Sequence, residues 1–517
     1  MTSWEETIPI PQCFAGKNVF ITGGSGFMGK VLIDKLLRCC PDLKTIYILL
    51  RPKKGRNLEE RIKLICDVPL FDKLKREHPS RLQKIVPVAG DVSLLGLGLS
   101  DESRSMLIKE VNIIYHVAAS VRFDDPLKDA IFMNTRGTRE AVHLAEEVEN
   151  LDVFLHVSTT YSHTDKEVIE EKMYPPIADW RETIKTAENT DSHILNVFTP
   201  HFINPFPNTY TFTKRLAENV VYDLCNGRIP AVIVRPSIVI STINDPIPGW
   251  TDNFNGPVGM LVGGGKGILR SIYTNPDVIP DYVPADMVIK SLILTSWAKA
   301  IETHKGERLN TSIYNASNNN VNNMTLGDMV EMGAKIAWEV PFNTILWYPG
   351  GAITKFYTVH LLKVILYHLL PALFIDGLLK LFGHKPILLK IQRKIYIANM
   401  ALQFYMTREW TFVNNKIIKL ETSILPLDEA DFGLGKKDLD RFEYFKSAAL
   451  GAKRYLLKED INCMEQAKKN SQRMYVLSVA CKILWYLAIA HFLINKINIL
   501  DLLGHLVNKI ILYLNNL

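Results

Sequence analysis

No C-x-x-C pair occurs among the seven cysteines, whose number is odd and whose spacing is irregular. That pattern excludes the usual zinc and dithiol motifs and points to a reducing compartment. No metal site is expected. No block of basic residues stands out, and the formal charge is only +6, so a nucleic-acid partner is not expected. The N-terminus, MTSWEETIPIPQ, is acidic and polar. It resembles neither a secretory signal nor an Arg-rich transit peptide. The sequons at Asn310, Asn315 and Asn323 then read as chance matches for a catalytic part facing the cytosol.

The chain has 517 residues, 47 % of them hydrophobic and 22 % charged. This is enough for two or more globular domains. Mean hydropathy is +0.05, and the apolar excess concentrates after about residue 355. Short apolar runs at Asn18–Thr22, Thr45–Leu50, Ile85–Ala89, Asn112–Val117, Val153–Ser158 and Ala231–Arg235 alternate with helical spacing, notably over Phe27–Leu37, Asp129–Val148 and Tyr210–Cys225. Continuous apolar strands separated by helices predict an α/β fold: a doubly wound, Rossmann-like parallel sheet covered on both faces. Ligands of such sheets bind at the C-terminal ends of the strands.

The first strand runs into Thr22-Gly23-Gly24-Ser25-Gly26-Phe27-Met28-Gly29. Glycines here permit a tight turn, close approach of backbone to a pyrophosphate and close packing of helix on strand. The following helix N-terminus supplies N–H donors to an anion. The second strand ends Leu50-Arg51-Pro52-Lys53-Lys54. An NAD site places an acid there, so Arg51 and the lysines favour a 2′-phosphate and hence NADPH; the plainer reading is a solvated basic turn. Asp91 and Val92, after the third strand, are placed to meet the adenine. Ala118, after the fourth, is small enough to admit the nicotinamide ribose, and Pro236 follows the sixth.

Tyr210 and Lys214 form a Y-x-x-x-K pair at the start of a helix, on one face of it. A tyrosine with its ordinary pKa of about 10 is a poor acid–base group. A neighbouring ammonium is expected to favour its phenolate. The fifth strand ends His156-Val157-Ser158-Thr159-Thr160-Tyr161, and a hydroxyl there can hydrogen-bond a reacting carbonyl oxygen. Thr159 is the first choice and Ser158 the second. Asn134 is expected either to hold a group that positions Lys214 or to serve as a helix N-cap. Gly263-Gly264-Gly265-Lys266-Gly267 lacks the Lys-Ser/Thr ending of a P-loop and reads as a flexible loop near the substrate.

These residues together resemble the extended short-chain dehydrogenase/reductase superfamily. Val234-Arg235-Pro236-Ser237-Ile238-Val239, Pro246–Asn253 (PIPGWTDN), Gly256–Gly259 (GPVG), Lys266-Gly267 and Asp281–Asp286 (DYVPAD) narrow the resemblance to animal fatty acyl-CoA reductases, particularly the insect type. Trp410-Thr411-Phe412 and Ser447–Asp460 (SAALGAKRYLLKED) look like that family's C-terminal domain. Thr160 departs from the pattern, standing where members often carry alanine. The resemblance implies reduction of long-chain fatty acyl-CoA by NADPH, through an aldehyde, to a primary alcohol and CoA. Thr159 and Tyr210 would then stabilise the oxyanion, with Lys214 tuning Tyr210. The alternatives are a membrane-bound dehydrogenase for a sterol or other hydrophobic alcohol, and a cofactor-binding scaffold without catalysis.

Four regions follow: residues 1–340 as the catalytic domain, 355–465 as a helical C-terminal domain, 475–494 as a transmembrane helix and 495–517 as an apolar tail. The 475–494 segment has bilayer-spanning length but contains Lys482 and His491, so a surface hairpin and a core helix stay open. Lys468, Lys469 and Arg473 before it favour a cytosolic N-terminal side. Phe356–Phe382, interrupted by Lys363, Pro371, Asp376 and Lys380, reads as two amphipathic helices that cover an acyl tunnel, lie in the interface or pack into a core. Membrane lipid is the expected partner. The final Asn-Asn-Leu is not a peroxisomal address, which favours the endoplasmic reticulum over the peroxisome.

Overall fold

The computed structural model describes residues 8–52, 55, 57–307, 309–318, 324–435, 440–497, 504 and 507–512. Seven strands form one parallel sheet: β1 (Asn18–Thr22), β2 (Thr45–Leu50), β3 (Ile85–Ala89), β4 (Ile113–His116), β5 (Val153–Val157), β6 (Ala231–Pro236) and β7 (Ser312–Ala316). Their spatial order is β7-β6-β5-β4-β1-β2-β3. Every neighbouring pair is parallel. The order reverses between β1 and β4, the topological switch point where ligands of such sheets bind. Strands buried on both faces carry apolar side chains at nearly every position, as in β1 and β2. The edge strand β7 went unnoticed in the sequence because SIYNA mixes apolar and polar residues.

Helices cover both faces. Those that matter for the site are α1 (Phe27–Cys39), α2 (Gly137–Glu147) and α3 (Thr209–Cys225). The helix expected over Asp129–Val148 is real but irregular: a turn at Leu127–Ala130 passes through a π-helical stretch at Ile131–Arg136 before α2 begins. Such bulges often sit at functional sites. Gly137 lets α2 close onto the chain after β3, since a Cβ there would lie 2.4 Å from Val92 Cγ1.

The C-terminal helices are docked on the sheet domain. Thr411–Phe412 pairs in parallel with Val168–Ile169. Asn315 of β7 donates from its amide to the carbonyls of Ile169 and Val413. This sequon is therefore sealed inside the fold, while Asn323 lies outside the described residues. Two motifs far apart in sequence meet through glycine: a Cβ on Gly249 would lie 2.1 Å from Ser447 O, and one on Gly451 1.7 Å from Gly249 O. The Pro246–Asn253 and Ser447–Asp460 patterns are thus two halves of one backbone contact.

Two expectations are corrected. Gly263–Gly267 is not a loop. Its first three residues end a helix, Pro257–Gly265, and the glycines admit Phe342 and the Trp347 backbone, with Cβ separations of 2.5 Å at Gly265 and 2.1 Å at Gly267. Phe356–Phe382 is not two helices either. Tyr357–Leu381 runs as one helical rod through a π-turn at Ile365–Leu369. Pro371 falls in the first turn after that π-turn, where the missing N–H is tolerated. Asp376 accepts from the backbone N–H groups of Ile387, Leu388 and Leu389 and so starts the returning helix α4 (Leu388–Met406).

Met464–Ile497 forms a 34-residue helix, α5. Tyr357–Leu381 and Ile461–Phe492 are long and apolar enough to cross a membrane, and both are largely exposed. Most of the 495–517 tail lies outside the described residues.

Candidate active site

The switch point is built by the glycine loop. Gly23 has φ +78°, a left-handed conformation that favours glycine, and a Cβ there would sit 2.6 Å from Ala118 N. At Gly29 it would sit 2.3 Å from Gly23 O, and at Gly24 2.6 Å from Ile48 Cγ2. Gly26 is different: it is exposed, and the one atom its Cβ would approach is Gly23 O, at 3.2 Å. Gly26 is also the N-cap of α1, with no side-chain cap and no acid in the first turn. The α1 N-terminus thus presents unsatisfied N–H donors beside exposed Ser25, which fits a diphosphate. Phe27 turns inward and stacks on Trp250 at 5.2 Å, and Met28 packs on the core. Their side chains support the loop from behind.

Thr22, at the end of β1, shares hydrogen bonds with His116 Nδ1 (2.9 Å) and the Ala118 N–H (3.3 Å). Burial, then the nearby Lys214 charge, pushes the His116 pKa down to about 3, so this ring is neutral. Arg51 and Asp91 meet: Nε and Oδ1 are 3.2 Å apart, with Arg51 half-exposed. Val92 is buried beneath α2. Pro236, also buried, pairs with Ala316 at the sheet edge. Lys53 and Lys54 lie outside the described residues.

Tyr210 enters α3 one residue after its start, and Asn208 caps the helix by accepting from Thr211 N at 3.0 Å. The Thr159 hydroxyl faces the Tyr210 phenol and favours its ionised form. Lys214 Nζ donates to Val157 O at 2.7 Å, at the end of β5. The three groups converge beside the switch point. Their electrostatics differ from the sequence argument, in which Lys214 makes Tyr210 more acidic. Burial pushes Tyr210 up to about 12, with Thr159 pulling the other way. Burial pushes Lys214 down to about 7, opposed by Glu218. Desolvation decides both shifts here, and the tyrosine is a neutral phenol.

Ser158 and Thr159 separate cleanly. Ser158 Oγ donates to Glu218 Oε1 at 2.5 Å and faces away from Tyr210. The Thr160 hydroxyl is buried without a hydrogen-bond partner. Asn134 is not a helix cap: it lies inside the π-turn, accepts from Ser120 N (2.8 Å) and donates to Ser120 O (3.1 Å) and Thr213 Oγ1 (3.0 Å). It ties the loop after β4 to the residue beside Lys214.

Glu218 was missed. It stands four residues after Lys214, so Y-x-x-x-K extends to Y-x-x-x-K-x-x-x-E on one helical face, a spacing that could have exposed it. Its carboxylate accepts from Arg235 Nε (2.9 Å) and Nη2 (2.8 Å) and from Ser162 Oγ (3.0 Å), and lies 2.9 Å from His163 Nε2. Burial would raise its pKa, but Arg235 holds it below the ordinary value. Aromatic rings from the C-terminal half roof the site. Phe123 lies 5.9 Å from Tyr210 and 5.3 Å from Tyr405, and Tyr161 packs on Tyr405, Trp410 and Phe412.

A parallel sheet with a glycine turn at its switch point and Tyr, Lys and Thr converging beside it defines a nicotinamide-dependent reductase of the extended short-chain dehydrogenase class. Two solved reductase domains share the architecture. One is the terminal R domain of the myxalamid biosynthetic pathway (TM-score 0.55, 18 % identity, 89 % of this chain and 96 % of that one). The other is the R domain of a Mycobacterium tuberculosis nonribosomal peptide synthetase (TM-score 0.58, 16 %, 87 % and 97 %). Family models described as "Male sterility protein" match residues 21–292, as an NAD-binding domain, and 367–459. Fatty acyl-CoA reductase wat of Drosophila melanogaster is 36 % identical over 92 % of this chain and 91 % of that protein. Human fatty acyl-CoA reductase 1 is 33 % identical over 90 % of each. The chain belongs to the fatty acyl-CoA reductase family, and it carries that family's nicotinamide-nucleotide-binding domain.

Proposed function

We propose that this protein reduces long-chain fatty acyl-CoA to a primary fatty alcohol and free CoA, using NADPH twice. The observation that carries the reading is the convergence of Tyr210, Thr159 and Lys214 beside the glycine loop, in a chain similar over nine-tenths of its length to fatty acyl-CoA reductases. Gly23, Gly24, Gly26 and Gly29 shape the diphosphate seat, with Thr22 and Ala118 behind it. Arg51 and Asp91 flank the adenosine end, and swinging Arg51 off Asp91 would free its guanidinium for a 2′-phosphate. Bound NADPH supplies hydride to the thioester carbonyl and then to the aldehyde.

In each reduction the carbonyl oxygen gains negative charge. Tyr210 and Thr159 present hydroxyls to that oxygen from a desolvated wall, where preorganised donors act most strongly. With its pKa pushed up to about 12, Tyr210 holds its proton at neutral pH. That is the form a reductase needs in order to donate to the alkoxide of the second step. In the first step the tetrahedral centre collapses, the C–S bond breaks and CoA leaves as a thiolate. Lys214, poised near 7, can return a proton to Tyr210, and Asn134 holds the turn on which both sit.

Membrane attachment suits this chemistry, because acyl chains and fatty alcohols partition into lipid. In this reading the catalytic part faces the cytosol and α5 anchors it in the endoplasmic reticulum. Lys468, Lys469 and Arg473 precede the apolar run, in keeping with a cytosolic side. Tyr475 packs on Tyr348 at 5.0 Å and Trp338 at 5.7 Å, an aromatic collar where the helix leaves the body. The test is product analysis with membranes carrying the protein, NADPH and acyl-CoAs of graded length. Fatty alcohol formed at two NADPH per alcohol supports the reading. NADPH binding without turnover of any acyl-CoA refutes it.

A further inference from the structure

An apolar cavity of about 370 Å³ lies between Tyr357–Leu381 and α4, far from the catalytic tyrosine along the chain. Leu361, Val364, Leu369, Leu389, Ile395 and Tyr396 supply hydrocarbon walls. Two of its polar lining residues, His368 and Gln392, are engaged with each other and with backbone. His368 Nδ1 is bonded to Gln392 Oε1 at 3.0 Å, and its Nε2 accepts from Arg270 N at 3.1 Å. Leu361, Leu369, Leu389 and Tyr396 are each more than a third exposed, so the cavity opens on the apolar outer face of the helical pair.

The helix α4 joins this cavity to the active site. Its far end lines the cavity through Leu389, Gln392, Ile395, Tyr396 and Asn399. Its near end carries Tyr405, 5.3 Å from Phe123, which in turn lies 5.9 Å from Tyr210. Tyr405 is pinned there by the Asn208 amide at 2.8 Å. Between the two ends, Leu402 packs in the cluster that also holds Leu269, a cavity wall. At a rise of 1.5 Å per residue, Tyr396 lies ~13.5 Å and Leu389 ~24 Å from Tyr405 along the helix axis. A bilayer core is two acyl chains deep and about 30 Å thick, so one long chain measures about 15 Å. Tyr210 stands back from Tyr405 across Phe123, so a chain of this length whose carbonyl sits at Tyr210 brings only its methyl end toward Ile395 and Tyr396, and longer chains enter the cavity.

We propose that this cavity seats the methyl-terminal part of the substrate's acyl chain and, through its open side, connects the active site with the lipid phase. This rests on the acyl-CoA reading above and adds where the chain lies and what limits its length. In the full-length membrane-embedded enzyme with NADPH, Ile395→Trp and Val364→Phe fill the cavity at its two walls. kcat/KM is measured for decanoyl-, lauroyl-, palmitoyl- and arachidoyl-CoA. The expected result is a loss that grows with chain length, at least about tenfold for arachidoyl-CoA and slight for decanoyl-CoA. An equal loss at every length, or an unchanged profile, overturns the proposal.

A measurement on the unaltered protein guards against misfolded variants. Palmitoyl-CoA carrying a diazirine at its terminal carbon is photolysed on the wild-type enzyme, and the labelled peptides are mapped. Label in residues 361–369 or 389–399 that excess palmitoyl-CoA displaces supports the proposal. Label elsewhere, or label that phosphatidylcholine displaces and palmitoyl-CoA does not, overturns it. Should wild type turn over no acyl-CoA at all, the substrate reading falls, and the label still decides whether the cavity takes an aliphatic chain.

Discussion

Replacing Glu218 with glutamine tests the buried scaffold under Tyr210 and Lys214. Glu218 and Arg235 are both fully buried, with Oε2 and Nη2 2.8 Å apart. The carboxylate also accepts hydrogen bonds from Ser158 and Ser162 and faces His163. Glutamine keeps the shape but removes the charge, and it turns a donor toward Arg235. A buried guanidinium left uncompensated costs about 3–5 kcal/mol. Denaturant unfolding of detergent-solubilised full-length protein, followed by tryptophan fluorescence, reads the loss directly. The network also makes a second, independent claim. Glu218 is the charge that supports the Lys214 ammonium, so its removal moves the Lys214 ionisation to lower pH. The pH profile of kcat/KM for NADPH, which reports free-enzyme ionisations, then loses its limb near 7 or shifts it downward. A stability loss below about 1 kcal/mol would refute the account of a buried ion pair. An unmoved pH limb would refute the electrostatic link to Lys214.

Tyr210→Phe should lower turnover by about 10²–10⁴-fold with NADPH affinity unchanged, measured by product formation and NADPH fluorescence titration; equal losses in both would point to a structural role. Lys214 has its pKa pushed below the ordinary value, so the unfolded chain binds more protons between about 7 and 10.5 and stability rises with pH through that window. Lys214→Met should abolish this rise, seen by unfolding the protein at a series of pH values, and Lys214→Arg should remove the limb near 7 from the kinetic profile, since a guanidinium stays charged. Arg51→Ala should weaken NADPH about 10–150-fold, the worth of a charge-assisted hydrogen bond, while NADH is spared; parallel changes in both would show that Arg51 does not meet the 2′-phosphate. Gly29→Ala places a Cβ 2.3 Å from Gly23 O, a backbone atom that cannot swing aside, and should cost about 1–3 kcal/mol of stability along with NADPH binding.

The sheet and its glycine turn were legible in the sequence because their causes are local. Parallel strands buried on both faces must be largely apolar, so β1 and β2 stand out as apolar runs between helical spacings. Gly23 and Gly29 mark themselves because no side chain fits where the backbone doubles back. Tyr210 and Lys214 were readable because four residues is one helical turn. What the fold alone decided depends on contacts across the chain. Ser158 and Thr159 are neighbours in sequence, yet one is spent on Glu218 and the other meets Tyr210, since successive residues of an extended chain point to opposite sides. Desolvation, which no spacing reveals, raises the Tyr210 pKa where the spacing to Lys214 suggested a fall. Asn134, which the sequence left open between a group that positions Lys214 and a helix cap, lies within a π-turn. Asp376 looked like an interruption of an apolar helix and starts the next one. Above all, sequence distance hid that Tyr405, Trp410 and Phe412 roof a site some two hundred residues earlier, because packing of one domain on another leaves no periodic trace in either.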